Sequence, residues 1–322
     1  MEAILLRFLK LVAFFNPLQV DLYRKAGTLR KTKTDKADAK FIAGILLTSE
    51  NSARADTKPA IVELKALIRY RNRIKSMRTK LRVSVTRLVC VLFPELPTVV
   101  GKIHQASTYA LLSEMPTAKD IADCHLTKLA NLLLESSKRR LSKDRALEIK
   151  ALAAKSIGLY SRAVGFELQQ TIRIISNIST EMDVLEKEIK FLMLKINSPI
   201  LTIPGISYNL GSVILSEIGN IENFANPSKL LAFAGLEPST HQSGNYHATK
   251  TSMVKRGSPH LRWAILQAAR LISQNDPTFR AYAQKKEQEG KHYFVVLNHV
   301  GKKLLRVIFH MLKHNREFVS AA

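Results

Sequence analysis

The chain has 322 residues, and its 50 Lys and Arg outnumber its 26 Asp and Glu, which gives a formal net charge of +24 at pH 7. This charge is not typical of a metabolic enzyme and favours a polyanionic partner, most directly nucleic acid; a ribosome-associated or membrane-surface protein is the alternative. A hydrophobic content of 46% excludes a disordered basic tail, and the length suffices for two or three domains.

The two cysteines, Cys90 and Cys124, are far apart and predict neither a disulfide framework nor a zinc site, in keeping with a reducing cytosol. The apolar run at residues 11–15 is short, charges interrupt what precedes it and no small-residue cleavage site follows, so it does not indicate a signal peptide. No stretch is long enough to span a bilayer. We therefore expect a cytoplasmic, nucleoid-associated protein of bacterial type without a membrane partner.

The N-terminal region predicts a helix at 4–9 and a strand at 11–15, ended by Asn16-Pro17. The run LRKTKTDKADA follows at residues 29–39. Its Asp35 and Asp38 are three residues apart and share a face if the segment is helical. Two carboxylates on one face could share a Mg²⁺ ion. Alternatively, Asp35 caps a helix and Asp38 is stabilised by the helix dipole.

Two long helices are predicted in the middle of the chain. The first, at 63–88, carries an apolar stripe of Leu67, Tyr70, Ile74, Met77, Leu81, Val85 and Leu88. Its many Lys and Arg residues either contact a nucleic-acid backbone or form a solvated face. Helical segments follow at 104–165. The second long helix has heptad positions Ile175, Ile178, Met182, Leu185, Ile189, Leu192 and Ile196, which predict coiled-coil packing either within the chain or in a homodimer or homotetramer.

A helix-hairpin-helix pattern begins the C-terminal region, where Pro204-Gly205 forces a turn before a segment with helical spacing. The backbone N–H groups of Gly205, Ile206 and Ser207 would then lie at a helix N-terminus and attract a phosphate without reading base sequence. The alternative is an ordinary turn between two helices.

Ser243 is the candidate nucleophile, since the adjacent Gly244 would let a phosphodiester approach closely. Four cations follow it and could stabilise the charge that develops during phosphoryl transfer: Lys250, Lys255, Arg256 and Arg262. Ser-Gly is also a common loop dipeptide, so this local chemistry leaves catalysis open.

Several runs of this sequence together resemble a known family. They are IPGIS at 203–207, SEIG at 216–219, NPSKLLAFAGLEPSTHQSGNY at 226–246 and KRGSPHLR at 255–262, with NPLQV at 16–20 and KTDKADA at 33–39. These runs resemble insertion-sequence transposases that join an N-terminal DEDD domain, of the RNase H-like Holliday-junction-resolvase type, to a C-terminal serine domain. Pilin-gene-inverting recombinases and RNA-guided recombinases that use a bridge RNA are relatives.

The resemblance implies a mostly α fold: a truncated RNase H-like α/β domain, a helical coiled-coil middle, and a helical transposase domain with a helix-hairpin-helix. It implies Ser243 as the catalytic serine and Asp35 and Asp38 as the last two acids of the DEDD set, with Mg²⁺ as their cofactor. The implied partners are DNA, a guide RNA and further copies of the chain. The expected segments are a DEDD remnant at 1–62, a basic helical region at 63–164, a coiled-coil helix at 165–198, the serine domain at 199–290 and a C-terminal helix at 291–322.

The chain departs from the family pattern upstream of Asn16. It starts too late for the first Asp, and Glu2 does not match the spacing of the family's Glu. We therefore expect an N-terminally truncated copy that binds DNA but holds Mg²⁺ poorly and does not complete recombination. Two alternatives to an active transposase follow: a catalytically inactive nucleic-acid-binding remnant, and a helix-hairpin-helix protein of DNA repair or junction binding.

Overall fold

A computed structural model describes residues 17–27, 34–48, 58–237 and 253–320, together with the backbone of 242–243 and 246–247. These residues are mostly helical, which confirms the coarse fold class. The predicted helix at 4–9 and strand at 11–15 lie outside them. The chain divides into two compact units, one formed by Met1–Ala66 with Lys190–Ala322 and the other by Leu67–Ile189.

The first described elements are helices α1 (Pro17–Gly27) and α2 (Asp35–Thr48). They pack together through Tyr23 and Phe41, whose rings meet edge to face with centroids 6.3 Å apart. Aromatic rings favour this arrangement because the positive edge of one ring meets the negative face of the other. The acidic first turn of α2 is thereby held against α1.

Helix α2 starts at a threonine cap. The Thr34 hydroxyl accepts a hydrogen bond from the Ala37 N–H at 3.2 Å, which satisfies one of the donors that a first helical turn leaves unbonded. The capping role that the sequence suggested for Asp35 is therefore wrong, because Asp35 is already the first helical residue. Its carboxylate is exposed, whereas that of Asp38 is partly buried.

The second unit is built around two long helices. Its helices are α3 (Pro59–Leu92), α4 (Leu96–Val100), α5 (Ala106–Glu114), α6 (Ala118–Asp123), α7 (Leu126–Ser136), α8 (Lys143–Ala154) and α9 (Arg162–Ile196). Helix α3 begins before this unit and α9 ends after it. The predicted basic helix and the predicted heptad helix are both confirmed as helices.

Helices α3 and α9 run antiparallel. Three side-chain contacts join them: Arg71 Nε to Glu186 Oε1 at 3.1 Å, Arg78 Nη1 to Ser179 Oγ at 3.5 Å, and Arg87 Nη2 to Glu167 Oε1 at 3.1 Å. From one contact to the next, the residue number rises on α3 and falls on α9. The first two contacts are seven residues apart on both helices. This spacing is that of an antiparallel coiled coil.

The heptad of α9 is largely buried within the single chain. Ile175, Met182 and Ile189 are at most 4% exposed. The predicted stripe of α3 is correct at Ile74, Val85 and Leu88, which are buried, but Tyr70 and Met77 are 39% and 54% exposed. Apolar periodicity identified both helices, but it could not decide which residues of a broad stripe face the partner helix.

The short helices α4 to α8 form a core with α3 and α9 in the second unit. Its fully buried side chains include Leu88, Leu92, Phe93, Leu96, Leu111, Ile121, Leu129, Ile149 and Leu168. Helix α6 begins with a capping box, in which Asp120 N–H donates to Thr117 Oγ1 at 3.1 Å and Thr117 N–H donates to Asp120 Oδ2 at 3.0 Å. The spacing of these two residues is that of a capping-box sequence.

The C-terminal part of the first unit is a compact helical group. It contains α10 (Tyr208–Ile218), α11 (Pro227–Ala234), α12 (Pro259–Asn275), α13 (Pro277–Gln288), α14 (Tyr293–His314), 3₁₀ turns at Pro199–Thr202 and Ile221–Asn223, and strands β1 (Gln242–Ser243) and β2 (Tyr246–His247). Helix α12 packs against α10, α13 and α14, and α14 also packs against α11. Residues 210–218 of α10 are all buried. None of the helices in the described ranges has the length and apolarity that a bilayer crossing requires.

Two neighbouring isoleucines on α9 test this packing. Ile175 is 2% exposed and belongs to the core of the second unit, whereas Ile174 is 46% exposed. Ile175→Ala should lower the free energy of unfolding by about 2–5 kcal/mol because it removes buried methyl groups and leaves a cavity. The matched change Ile174→Ala should stay within about 0.5 kcal/mol. Urea denaturation followed by circular dichroism measures both; equal losses would contradict the assigned register.

Candidate active site and nucleic-acid interface

Ser243 lies in a short β-hairpin. Strands β1 and β2 pair antiparallel, and Ser243 is opposite Tyr246 in the register. Only two residues separate the strands, a spacing typical of a tight hairpin turn. The side chain of Ser243, together with Gly244 and Lys250, lies outside the described residues, so the structure places the backbone of the candidate nucleophile alone.

The loop that carries this hairpin is tied at its base. Val254 N–H donates to the Glu237 carbonyl at 2.8 Å, and Ser258 N–H donates to the Phe233 carbonyl at 2.8 Å. Because Phe233 lies in the last turn of α11, these bonds fix the returning chain on that helix. The segment that carries Ser243 therefore begins after Glu237, next to Val254, where the basic segment begins.

Two glycines make this close approach possible. Gly257 has φ +106° and lies so near α11 that a Cβ would be 2.1 Å from the Phe233 carbonyl oxygen. Gly235 has φ +66°, and a Cβ there would be 2.5 Å from the Arg256 carbonyl oxygen. A side chain at either position would meet backbone, and L-residues also disfavour these φ angles.

The predicted cations of the basic loop divide into two roles. Lys255 and Arg256 are exposed and accessible to a polyanion. Arg262 is partly buried, and its Nη1 donates to the Ala234 carbonyl at 3.4 Å and to the Lys255 carbonyl at 3.3 Å. Arg262 therefore braces the loop against α11, a contact that the sequence could not indicate.

A buried acid anchors the start of α12. Ser258 is its N-cap and accepts a hydrogen bond from Leu261 N–H at 3.1 Å. The same hydroxyl donates to Oε2 of Glu217 at 2.6 Å, and Glu217 is only 5% exposed. This bond joins α10 to the loop that carries Lys255 and Arg256. Sequence reasoning missed Glu217, because an acid near the end of an apolar helix gives no sign of its partner.

The turn that was predicted to bind a phosphate is tight, and only some of its backbone N–H groups are available for a ligand. Gly205 has φ +87°, and a Cβ there would be 2.8 Å from Cβ of Leu271 on α12. The Ile206 N–H already donates to the Ile203 carbonyl at 3.0 Å, so it does not serve a phosphate. Within the described residues, the N–H groups of Gly205 and Ser207 have no intramolecular acceptor, and Ser207 makes no side-chain cap.

This geometry limits how the turn can be mutated. A valine at position 205 would collide with α12, so Gly205→Val would disturb the fold as well as any phosphate contact. The phosphate contact itself stays a prediction for Gly205 and Ser207.

Two further cations, Lys302 and Arg306, lie four residues apart on α14 and were not predicted from the sequence. Partial burial lowers the pKa of the Lys302 ammonium, as does the charge of Arg306, whereas Glu237 acts in the opposite direction. Lys302 is thus within electrostatic reach of the residue from which the Ser243 loop departs. The i, i+4 spacing of this basic pair can be seen in the sequence, but the sequence does not show which side of α14 faces Glu237.

The acidic pair meets an arginine. Nε of Arg24 on α1 lies 3.8 Å from Oδ1 of Asp38, and Nη2 of the same guanidinium donates to Oδ1 of Asp21 at 2.5 Å. Hydrogen bonds from Lys25 and Arg24 lower the pKa of Asp21 to about 2. Asp21 is therefore a third acid beside Arg24, and it was missed because it lies one helix before the recognised motif.

These acids only partly fit a magnesium site. Carboxylate oxygens are the ligands that Mg²⁺ takes in proteins, so the donor chemistry of Asp35 and Asp38 is suitable. The described ranges contain no group of three His, Cys, Asp or Glu side chains that could hold a metal ion, and Arg24 already pairs with Asp38. The two acids do not form a complete site by themselves.

Two family models match the chain. One, described as Transposase IS116/IS110/IS902 family, matches residues 197–284, which include the hairpin, Ser243 and the tied loop. The other, a DEDD transposase model of the IS110 group, matches residues 3–94, which include Asp35 and Asp38. Both models describe transposases of the IS110 type, so two separate regions of the chain are similar to the same family. The matched DEDD model suggests that this transposase depends on a divalent metal.

Individual relatives agree with this family. A 43.6 kDa protein of insertion element IS110 from Streptomyces coelicolor is 24% identical over 88% of this transposase and 71% of its own length. A pilin gene-inverting protein from Moraxella bovis is 31% identical over 36% of this chain and 37% of its own length. The transposase for insertion sequence element IS1111A from Coxiella burnetii is 34% identical over 22% of this chain and 19% of its own length.

The tied loop can be tested through its glycines. Gly257→Ala should lower the free energy of unfolding by more than about 2 kcal/mol, because its Cβ would collide with a carbonyl oxygen in addition to the φ penalty. Gly290, at φ +72° with nothing within 4 Å of a Cβ, is the matched control. Gly290→Ala carries only the φ penalty and should cost about 1 kcal/mol. Thermal unfolding measures both; a smaller effect at Gly257 would contradict the close approach.

Proposed function

We propose that this transposase cuts and rejoins DNA strands at the ends of an insertion element, with the Ser243 hydroxyl as the nucleophile. The observation that carries the proposal is the tied loop. Its backbone hydrogen bonds fix the chain where the Ser243 segment begins and ends, next to the exposed Lys255 and Arg256. A nucleophile and cations held on one scaffold are what phosphoryl transfer needs, since positioning and charge stabilisation supply most of the catalysis.

The chemistry would proceed in two balanced steps. The Ser243 oxygen attacks a DNA phosphorus, its proton leaves, and the bond from phosphorus to one sugar oxygen breaks, which releases a sugar hydroxyl. A sugar hydroxyl of the second strand then attacks the phosphoserine, forms a new phosphodiester and frees the serine. Lys255 and Arg256 would stabilise the negative charge that develops on the phosphoryl oxygens in both steps.

DNA binding would use three surfaces of the first unit. The N–H groups of Gly205 and Ser207, just before α10, would donate hydrogen bonds to a backbone phosphate. Lys255 and Arg256 would neutralise others, and Lys302 and Arg306 would extend the cationic surface next to Glu237. All of these contacts address the phosphate backbone, so they would hold DNA without specifying its sequence.

Binding should depend strongly on salt. Lys255→Ala with Arg256→Ala should weaken duplex binding about tenfold and reduce the slope of log K against log [salt] by about 2. Lys143→Ala with Lys155→Ala is the charge-matched control, since both lysines are exposed in the second unit. Fluorescence anisotropy at several salt concentrations measures both doubles. Equal slopes for the two would remove Lys255 and Arg256 from the interface.

The nucleophile is tested by strand exchange on a plasmid that carries both element ends, with the element's own RNA supplied. Ser243→Ala should abolish recombination and the covalent protein–DNA adduct while duplex binding is retained. Ser176→Ala is the control, because that hydroxyl only bonds the Ile172 carbonyl of its own helix, at 3.2 Å. Recombination at the parental rate by Ser243→Ala would rule out the nucleophile assignment.

A binding-only transposase is the second candidate, and the pairing of Arg24 with Asp38 favours it. The two candidates differ in one assay, since a binding-only protein shifts DNA but never forms the Ser243 adduct. Metal dependence is assessed in the same assay by adding EDTA and then Mg²⁺, with Asp35→Asn and Asp38→Asn as variants. If adduct formation is unchanged by EDTA and by both variants, these acids have no catalytic role.

Guide RNA and assembly are further parts of the proposal. Helix α9 keeps Phe166, Val184 and Phe191 at least 50% exposed, which leaves an apolar surface for a second copy in a homodimer or homotetramer. Light scattering of the purified protein, with Val184→Lys as the variant, tests this assembly, and a monomeric parent would exclude it.

The guide RNA is tested by sequencing RNA that co-purifies with the protein; recovery of random RNA alone would count against it.

A further inference from the structure

A cavity of about 400 Å³ opens in the C-terminal helical group, between α12, α13 and the start of α14. Its base is apolar, since Ala283 and Val296 line it and are only 9% and 2% exposed. Tyr293 forms one side and keeps 49% of its surface exposed. The volume falls within the range of about 300–1,000 Å³ that is usual for small-ligand pockets.

The rest of the lining is rich in hydrogen-bonding groups. Gln274 and Gln284 contribute amides, Arg270 and Arg280 contribute guanidinium groups, and Glu287 contributes a carboxylate. Arg280 is held in place because its Nη2 donates to the Gln274 carbonyl. An apolar base, an aromatic side and both donors and acceptors around the edge suit a flat heteroaromatic ligand.

We propose that this cavity binds one unstacked base of a single-stranded nucleic acid. Tyr293 would stack on the base, and the amides of Gln274 and Gln284 would meet its edge, since an amide can pair with a base that presents both a donor and an acceptor. Arg270 and Arg280 would contact the adjoining phosphates. The inference rests on the proposed nucleic-acid function and adds to it a site for strands that have left the duplex.

The charge pattern favours a base over a bare phosphate in the cavity. The carboxylate of Glu287 would repel a phosphate but can accept a hydrogen bond from an exocyclic amine. Phe294 supports the same view, since it is 70% exposed and its ring centroid lies 5.5 Å from that of Tyr293. An exposed aromatic next to Tyr293 offers the neighbouring base a second stacking surface.

The test uses the full chain and an oligonucleotide with 2-aminopurine at one central position, as a single DNA strand, a single RNA strand and a DNA duplex. The parental protein should quench the probe on at least one single strand. Tyr293→Ala should remove the quench and weaken single-strand affinity about tenfold, with duplex affinity unchanged. Gln284→Ala, an exposed residue whose loss does not threaten folding, should weaken single-strand binding in the same direction.

Tyr160→Ala is the matched control. Tyr160 is 55% exposed in the second unit and has Lys119 Nζ 4.9 Å from its ring centroid, so it is an aromatic of similar exposure next to a cation. Its loss should leave the quench and the affinity unchanged. Equal behaviour of Tyr293→Ala and Tyr160→Ala would overturn the cavity assignment while duplex binding persists. No binding of any strand or duplex by the parental protein would overturn the nucleic-acid function itself.

Discussion

The candidate active site depends on one close contact, the approach of the chain at Gly257 to the Phe233 carbonyl at the end of α11. The hydrogen bond from Ser258 N–H to that carbonyl, at 2.8 Å, requires a residue without a Cβ at position 257. Arg262 then fills the space beside α11 and donates to two backbone carbonyls. The basic loop is therefore held by backbone bonds, and its exposed cations stay available for a ligand.

The helical framework could be predicted well because it rests on local signals. The heptad of α9, the apolar stripe of α3 and the Thr117–Asp120 cap are local sequence patterns, and each helix that they mark is present in the structure. The partner of each helix was less accessible to sequence reasoning. Tyr70 and Met77 fit the apolar stripe but remain exposed, because the stripe of α3 is wider than the seam it shares with α9.

The candidate site was only partly predictable, for a related reason. Lys255 and Arg256 are exposed, as contact with a polyanion requires, but Arg262 shares their charge and instead holds the loop against α11. Glu217 and Lys302 were missed because each acts on a residue of another element, whereas Asp21 was missed because it lies one helix before the recognised motif. Charge and spacing show which groups are available, whereas their partners depend on tertiary packing that a single sequence does not display.

The hydrogen bond between Val254 and Glu237 also makes the position of the basic segment independent of the length of the serine-bearing segment before it. Because both ends of the serine-bearing segment are fixed, residues could be inserted within it without moving Lys255 or Arg256. Each doubling of a flexible loop's length costs only about 0.6 kcal/mol in closure entropy. The reach of Ser243, the proposed nucleophile, can therefore change with the length of this segment while Lys255 and Arg256 keep their positions.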